Sequence, residues 1–207
     1  MITITRRPLL LVVSAPSGAG KTTLCDRLIA EYDTVSYSVS CTTRPPREGE
    51  IDGKSYFFLT EEEFMARVAA GAFLEHARVH GHYYGTLKET VRAELASGRD
   101  VLMDIDVQGA AHIRAARDSS ATHVWLREAY VDVFIAPPSL KALQLRLWGR
   151  GKDPDAVIRR RLAQAGEELT HWREYQYLIV NDRLDDSYRA LQSILIAERQ
   201  RTYRLSD

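Results

Sequence analysis

Residues 10–24 run Leu-Leu-Val-Val-Ser-Ala-Pro-Ser-Gly-Ala-Gly-Lys-Thr-Thr-Leu, an apolar stretch that stops at a glycine-rich turn and resumes as a helical pattern. A strand apolar at every position belongs in the middle of a parallel sheet, where helices cover both faces. The turn after it can aim successive backbone N–H groups at one anion, and the helix that follows adds the positive end of its dipole. Ala15, Pro16, Ser17, Gly18, Ala19, Gly20, Lys21, Thr22 and Thr23 therefore form a candidate phosphate loop. In it Lys21 reaches the β- and γ-phosphates and the Thr22 hydroxyl serves Mg²⁺. The pattern G-x-x-x-x-G-K-[ST] has Ala15 at its first position, so the backbone there needs no glycine conformation.

The rest of the chain alternates strand and helix around this loop. Leu9–Ser14, Val35–Ser40, Val101–Asp106, Val131–Ile135 and Tyr177–Val180 read as strands, and Lys21–Tyr32, Val107–Arg117, Ser139–Trp148, Pro154–Thr170 and Asp186–Tyr203 as helices. This pattern predicts an α/β fold, a doubly wound parallel sheet of five strands. Between the second and third strands, Ser55–Leu59, a helix from Glu61 to Ala70 and the Tyr83-Tyr84 region predict a small mixed lobe inserted into the core. Asp104 and Asp106 end the third core strand, where an acid facing the phosphate loop belongs.

Charge excludes one class of partner. With 28 Lys and Arg against 28 Asp and Glu, the 207-residue chain is neutral and lacks the basic excess of a nucleic-acid binder. Cys25 and Cys41 form no disulfide framework, which points to a reducing cytoplasm. Arg6-Arg7 and Leu9–Val13 imitate a signal peptide, but the apolar run is short and leads into the phosphate loop. No stretch is long enough for a membrane span. Oligomeric state leaves no mark in the sequence.

In this order, several segments resemble the guanylate kinase family: Ser14–Leu24, Ser-Val-Ser-Cys-Thr-Thr-Arg-Pro-Pro-Arg (38–47), Asp-Gly-Lys-Ser-Tyr-Phe-Phe (52–58), Phe-Leu-Glu-His-Ala (73–77), Tyr-Tyr-Gly-Thr (83–86), Asp-Ile-Asp-Val-Gln-Gly (104–109), Ile-Ala-Pro-Pro-Ser (135–139) and Ile-Val-Asn-Asp (179–182). The resemblance covers about residues 8–190 and accounts for Ala15. It implies transfer of a phosphoryl group from Mg·ATP to GMP or dGMP. It also implies a core of residues 1–37, 88–140 and 171–207, a GMP-binding lobe of 38–87, and a lid of 141–170 that is helical and mobile.

The resemblance gives the motif residues their roles. Arg44, Arg47, Tyr56 and Tyr84 are expected on the GMP phosphate. Glu75, Ser40, Thr86 and Asp106 are expected on the guanine, whose adjacent N1–H and N2–H₂ donors call for a carboxylate. Arg146, Arg150 and Arg161 are expected as lid arginines, catalytic together with Lys21 and Arg44. Asp104 is expected in the Mg²⁺ shell through water, and Asn181 beside the adenine. By their residue types alone, Arg44 and Arg47 read equally as solvated loop charges, and Glu75 as a surface residue at a helix end. Two alternatives to the kinase reading are a protein-binding module of this fold without catalysis and a P-loop kinase for another phosphorylated acceptor. The Ser119–Tyr130 segment, longer than the usual family connection, is expected to form a short helical turn packed on the core, with an interface particular to one branch of the family as the alternative.

Overall fold

A computed structural model of the chain describes residues 4–79, 81–119, 124–149 and 154–206. Five strands form the central parallel sheet: β2 (Leu10–Ser14), β3 (Val35–Tyr37), β8 (Asp100–Asp104), β9 (Tyr130–Ala136) and β10 (Tyr177–Val180), in the order β10-β9-β2-β8-β3. Alternation along β2 and its lead-in divides the core. Leu9, Leu11 and Val13 pack with Leu24 and Leu28 of α1 (Lys21–Glu31) and Leu191 and Leu195 of α8 (Leu184–Arg199). Leu10 and Val12 face the other way, toward Val91 of α3 (Lys88–Ala96), Ile113 of α4 (Val107–Ser119) and Leu126 of α5 (Val124–Ala129). Helices cover both faces, as the continuous apolar strands require. The expected helical turn after Ser119 is α5, with Leu126 buried and Trp125 packed beside it; residues 120–123 lie outside the described part.

A second sheet, β5-β4-β7-β6, is built from β4 (Cys41–Thr42), β5 (Phe57–Phe58), β6 (Phe73–Val79) and β7 (His82–Leu87). Its own small core centres on Phe64 of α2 (Glu61–Ala69), stacked on Phe73 at 4.4 Å and on Tyr83 at 5.4 Å between ring centroids. A reciprocal Thr60–Glu63 capping box starts α2. Two further helices, α6 (Leu140–Gly149) and α7 (Asp155–Glu168), pack on each other through Leu143, Leu147 and Ile158. Ser139 Oγ caps α6 by accepting from the Ala142 N–H at 3.0 Å.

Several element boundaries differ from those expected. Val35–Ser40 is not one strand: the chain leaves the parallel sheet after Tyr37 and joins the second sheet at Cys41. The strand expected over Ser55–Leu59 shortens to Phe57–Phe58. The last long helix stops at Arg199 and gives way to a 3₁₀ turn at Thr202–Arg204. That turn lets β11 (Leu205–Ser206) pair antiparallel with β1 (Thr5–Arg6), a two-stranded closure no local pattern announced.

Asp100 fastens this closure. It is fully buried, and its Oδ1 accepts from Arg6 at 2.6 Å and from the Leu9 N–H at 2.8 Å, while Oδ2 accepts from Arg199 at 2.7 Å. Replacing Asp100 with Ala would strand a buried N–H and two half-shielded guanidiniums, and should lower stability by about 3 kcal/mol in denaturant titration.

Candidate functional site

The turn between β2 and α1 closes as its glycines require. Gly18 and Gly20 take φ of +90° and +97°, values that an L side chain rarely adopts. A Cβ on Gly20 would also collide with Asn181 Nδ2. That amide is buried and donates to the Ala19 carbonyl at 2.7 Å, so Asn181 pins the loop from the far end of β10. Ala15–Gly18 and Gly20–Thr23 line a cavity of about 400 Å³, with Thr22 and Thr23 exposed at its rim. Across it stand Arg161, Gln164 and Glu168 of α7. Burial raises the carboxyl pKa of Glu168, and nearby Asp106 raises it further.

Lys21, the first residue of α1, turns back over the sheet edge. Its Nζ donates to the Ile105 carbonyl at 3.2 Å and lies 3.7 Å from Asp104 Oδ1. Lys21, Tyr56, Asp104 and Asp106 also line a second cavity of about 220 Å³, which opens toward the second sheet. The two spaces therefore meet at Lys21 beside Asp104, with Asp106 lining both.

The second cavity holds most of the remaining expected residues. Ser40, Tyr56, Glu75, Tyr84 and Asp106 line it. Thr86 sits directly behind, donating to Glu75 Oε1 at 2.8 Å, with Ser40 Oγ 3.2 Å from Thr86 Oγ1. Glu75 is a strand residue, 6% exposed, not the surface helix end its neighbours in sequence suggested. A register shift between Phe73 and Glu75 breaks the alternation of β6 and turns the carboxylate inward. Burial pushes the Glu75 carboxyl up to about 7, opposed by the Thr86 hydrogen bond and reinforced by Asp106. Asp106 itself caps α4, accepting from the Gly109 N–H at 2.8 Å.

Arg44 and Arg47 lie on the loop beyond this cavity. The Arg44 guanidinium sits 5.4 Å from the Tyr56 ring centroid and donates to Glu50 at 2.7 Å, while Glu50 also accepts from the Arg47 N–H at 2.7 Å. These bonds hold the Glu50 carboxyl below its ordinary pKa. The Arg47 side chain is exposed. Tyr56 and Tyr84 pack edge to face at 6.0 Å.

Arg146 and Arg161, both expected at the phosphates, line different spaces. Arg161 faces the phosphate loop. Arg146 instead donates to the Asn181 and Asp182 carbonyls at 2.8 and 3.2 Å, in a separate recess of about 430 Å³ that also touches Gly18, Gly20 and Asn181. Arg150 lies outside the described residues. Sequence reasoning missed Tyr37 and Ser55 in the second cavity, Glu50 beside Arg44, and Gln164 and Glu168 in the first. The last two share the helical face of Arg161 at i+3 and i+7, a spacing that could have found them.

A parallel sheet whose glycine loop opens at its centre, joined to a second cavity on an inserted sheet, defines a P-loop protein with two facing compartments. The guanylate kinase family profile matches residues 6–198. A guanylate kinase of Paramagnetospirillum magneticum is 49% identical over 95% of this chain and 88% of its own length. One of Cereibacter sphaeroides is 47% identical over 98% and 92%. The crystal structure of guanylate kinase from Anaplasma phagocytophilum superposes with a TM-score of 0.76 at 31% identity, covering 98% of this chain and 92% of that one. The chain belongs to the guanylate kinase family. No helix among the described residues is long and apolar enough to cross a membrane.

Proposed function

We propose that this protein transfers the γ-phosphoryl group of ATP to GMP or dGMP, releasing ADP and GDP. The observation that carries the reading is the junction of the two cavities at Lys21, which leaves room for a donor phosphate to meet an acceptor phosphate. In this reading residues 38–87 form the acceptor lobe, 141–170 the lid and the remainder the core.

The loop from Ala15 to Thr23 cradles the triphosphate with backbone N–H groups, and Asn181 keeps the loop in shape beside the adenine recess. Lys21 neutralises charge that grows on the transferring group, and Arg161 approaches from α7. Arg146 and Arg150 join when the lid moves over both nucleotides. Arg146 must first release the carbonyls it now binds, and such closure excludes water from the reacting phosphates. Arg44, Arg47, Tyr56 and Tyr84 hold the acceptor phosphate, the two guanidiniums gripping it on a proline-stiffened turn. Its oxygen is already ionised at neutral pH, so no general base is required.

Glu75 and Asp106, with the Ser40 and Thr86 hydroxyls, meet the guanine edge. A guanine N1–H and N2–H₂ can both donate to the Glu75 carboxylate, whereas adenine offers no such pair of donors and would bury it with only its Thr86 hydrogen bond. The exposed Thr22 hydroxyl and the Asp104 carboxylate form an all-oxygen set at the loop, which suits Mg²⁺. When bound there, the metal supplies charge neutralisation between the phosphates. The protein acts on small molecules in the cytoplasm, without nucleic acid or membrane.

An acceptor panel in a coupled ADP-release assay tests the proposal. GMP should exceed AMP, CMP and UMP in kcat/KM by at least a thousandfold. Equal rates with several acceptors would exclude the guanine pocket, and no ADP above background with any of them would favour a binding module.

A further inference from the structure

The acceptor reading leaves one close approach unexplained. Helix α4 packs directly on β6, and His112, three residues after Gly109, is 3.1 Å from the His76 carbonyl through Nδ1. At this crossing Glu75 Oε1 is held by Thr86, and the other oxygen, Oε2, lies over the bare Cα of Gly109. A Cβ on Gly109 would stand 2.8 Å from Glu75 Oε2, 3.4 Å from Glu75 Cδ and 3.3 Å from Asp106 Oδ1. The first of these is shorter than real Cβ contacts, and its partner is the free end of a side chain, so the carboxylate is what would move. Gly109 has no positive-φ demand of its own; it sits within the first turn of α4. Alanine there would favour the helix by roughly 1 kcal/mol. Backbone conformation gives no reason for glycine at 109, and the position of the carboxylate does.

We infer that Gly109 is a specificity-determining positioning residue: its missing side chain seats the Glu75 carboxylate against the first turn of α4, beside Asp106, at the depth that meets a base bearing two adjacent N–H donors. The inference rests on the acceptor reading above. Without that space the carboxylate is driven toward the cavity mouth, and the match to the paired donors is lost. Donor binding, on the other side of Lys21, is untouched.

Gly109→Ala tests this by calorimetric titration with GMP and AMP and by steady-state kinetics. The expected result is a GMP Kd and KM raised at least tenfold, an ATP KM within twofold of the parent, and a thermal midpoint no lower than the parent's. Glu75→Asp, one methylene shorter, withdraws the carboxylate from the added methyl. Adding Gly109→Ala to Glu75→Asp should therefore change GMP affinity less than threefold. The same loss in both backgrounds, or a GMP affinity within threefold of the parent in the single variant, overturns the inference. If Gly109→Ala fails to fold, recovery of folding in the double variant supports the steric account, and no recovery overturns it. A parent protein that binds GMP and AMP alike removes the acceptor reading first, and the inference with it.

Discussion

Lys21→Ala is expected to lower kcat for GMP phosphorylation at least a thousandfold while leaving the fold intact. The loss corresponds to about 4 kcal/mol of transition-state stabilisation, the scale on which a single cation at a transferring phosphoryl acts. Stability should barely change, for three reasons. The folded-state partners of Nζ are one carbonyl at 3.2 Å and one carboxylate at 3.7 Å, at a partly exposed edge. A cation in the first turn of a helix opposes its dipole, so removing it relieves α1. Alanine is also the better helix former. Steady-state kinetics and a thermal melt on one preparation check both halves. Turnover within tenfold of the parent would remove Lys21 from the chemistry, and a collapsed melt would make it structural.

Glu75→Gln should separate recognition from stability in opposite directions. The carboxyl titrates near 7 in the folded chain against an ordinary value of 4.5. Between those values the folded protein keeps a proton the unfolded chain has released, so its stability falls as pH rises from 4.5 to 7 and levels off above. A neutral amide, still able to accept from Thr86, removes that penalty. At pH 8 the variant should be more stable than the parent, by at most an amount on the order of 3 kcal/mol, and below pH 4.5 the difference should vanish. Guanine affinity should go the other way. Replacing an ionised acceptor that takes two N–H groups with an amide raises the GMP KM about a hundredfold. In the parent, GMP KM should rise as pH falls below 7, because protonation spoils the acceptor; in the variant that rise should be absent. Parallel pH series of denaturant midpoints and GMP KM test both signs, and a pH-independent parent KM would take Glu75 out of base recognition.

How much of this was legible along the chain depends on how local each feature is. The phosphate loop was fully readable, because β2, the glycines, Lys21 and the helix that aims them are contiguous. The two faces of β2 follow from simple alternation, as Leu9, Leu11 and Val13 against Leu10 and Val12 show. Glu75 could not be placed from its own surroundings. The register shift in β6 puts Phe73, Leu74 and Glu75 all inside, and no alternating pattern survives to mark a strand. The family resemblance supplied its expected role, and packing supplied its burial. Glu50 was invisible beside Arg44, since a loop acid three residues from Arg47 reads as solvated until the turn closes. Arg146, expected with Arg161 at the phosphates, lies over the Asn181 and Asp182 carbonyls, because the way α6 packs on the end of β10 is not written in helical spacing.

The order of residues alone settled the parallel core and the anion-binding turn, since both depend on interactions within one strand–turn–helix unit and on a period of two or 3.6 residues. Tertiary structure alone decided that Glu75, Thr86 and Gly109, from two strands and a helix, share one point, and that Asn181 from the opposite end of the chain braces the glycine loop. Such meetings depend on how sheets and helices pack across long separations, where a few tenths of an ångström at a bare Cα determine what a carboxylate can reach.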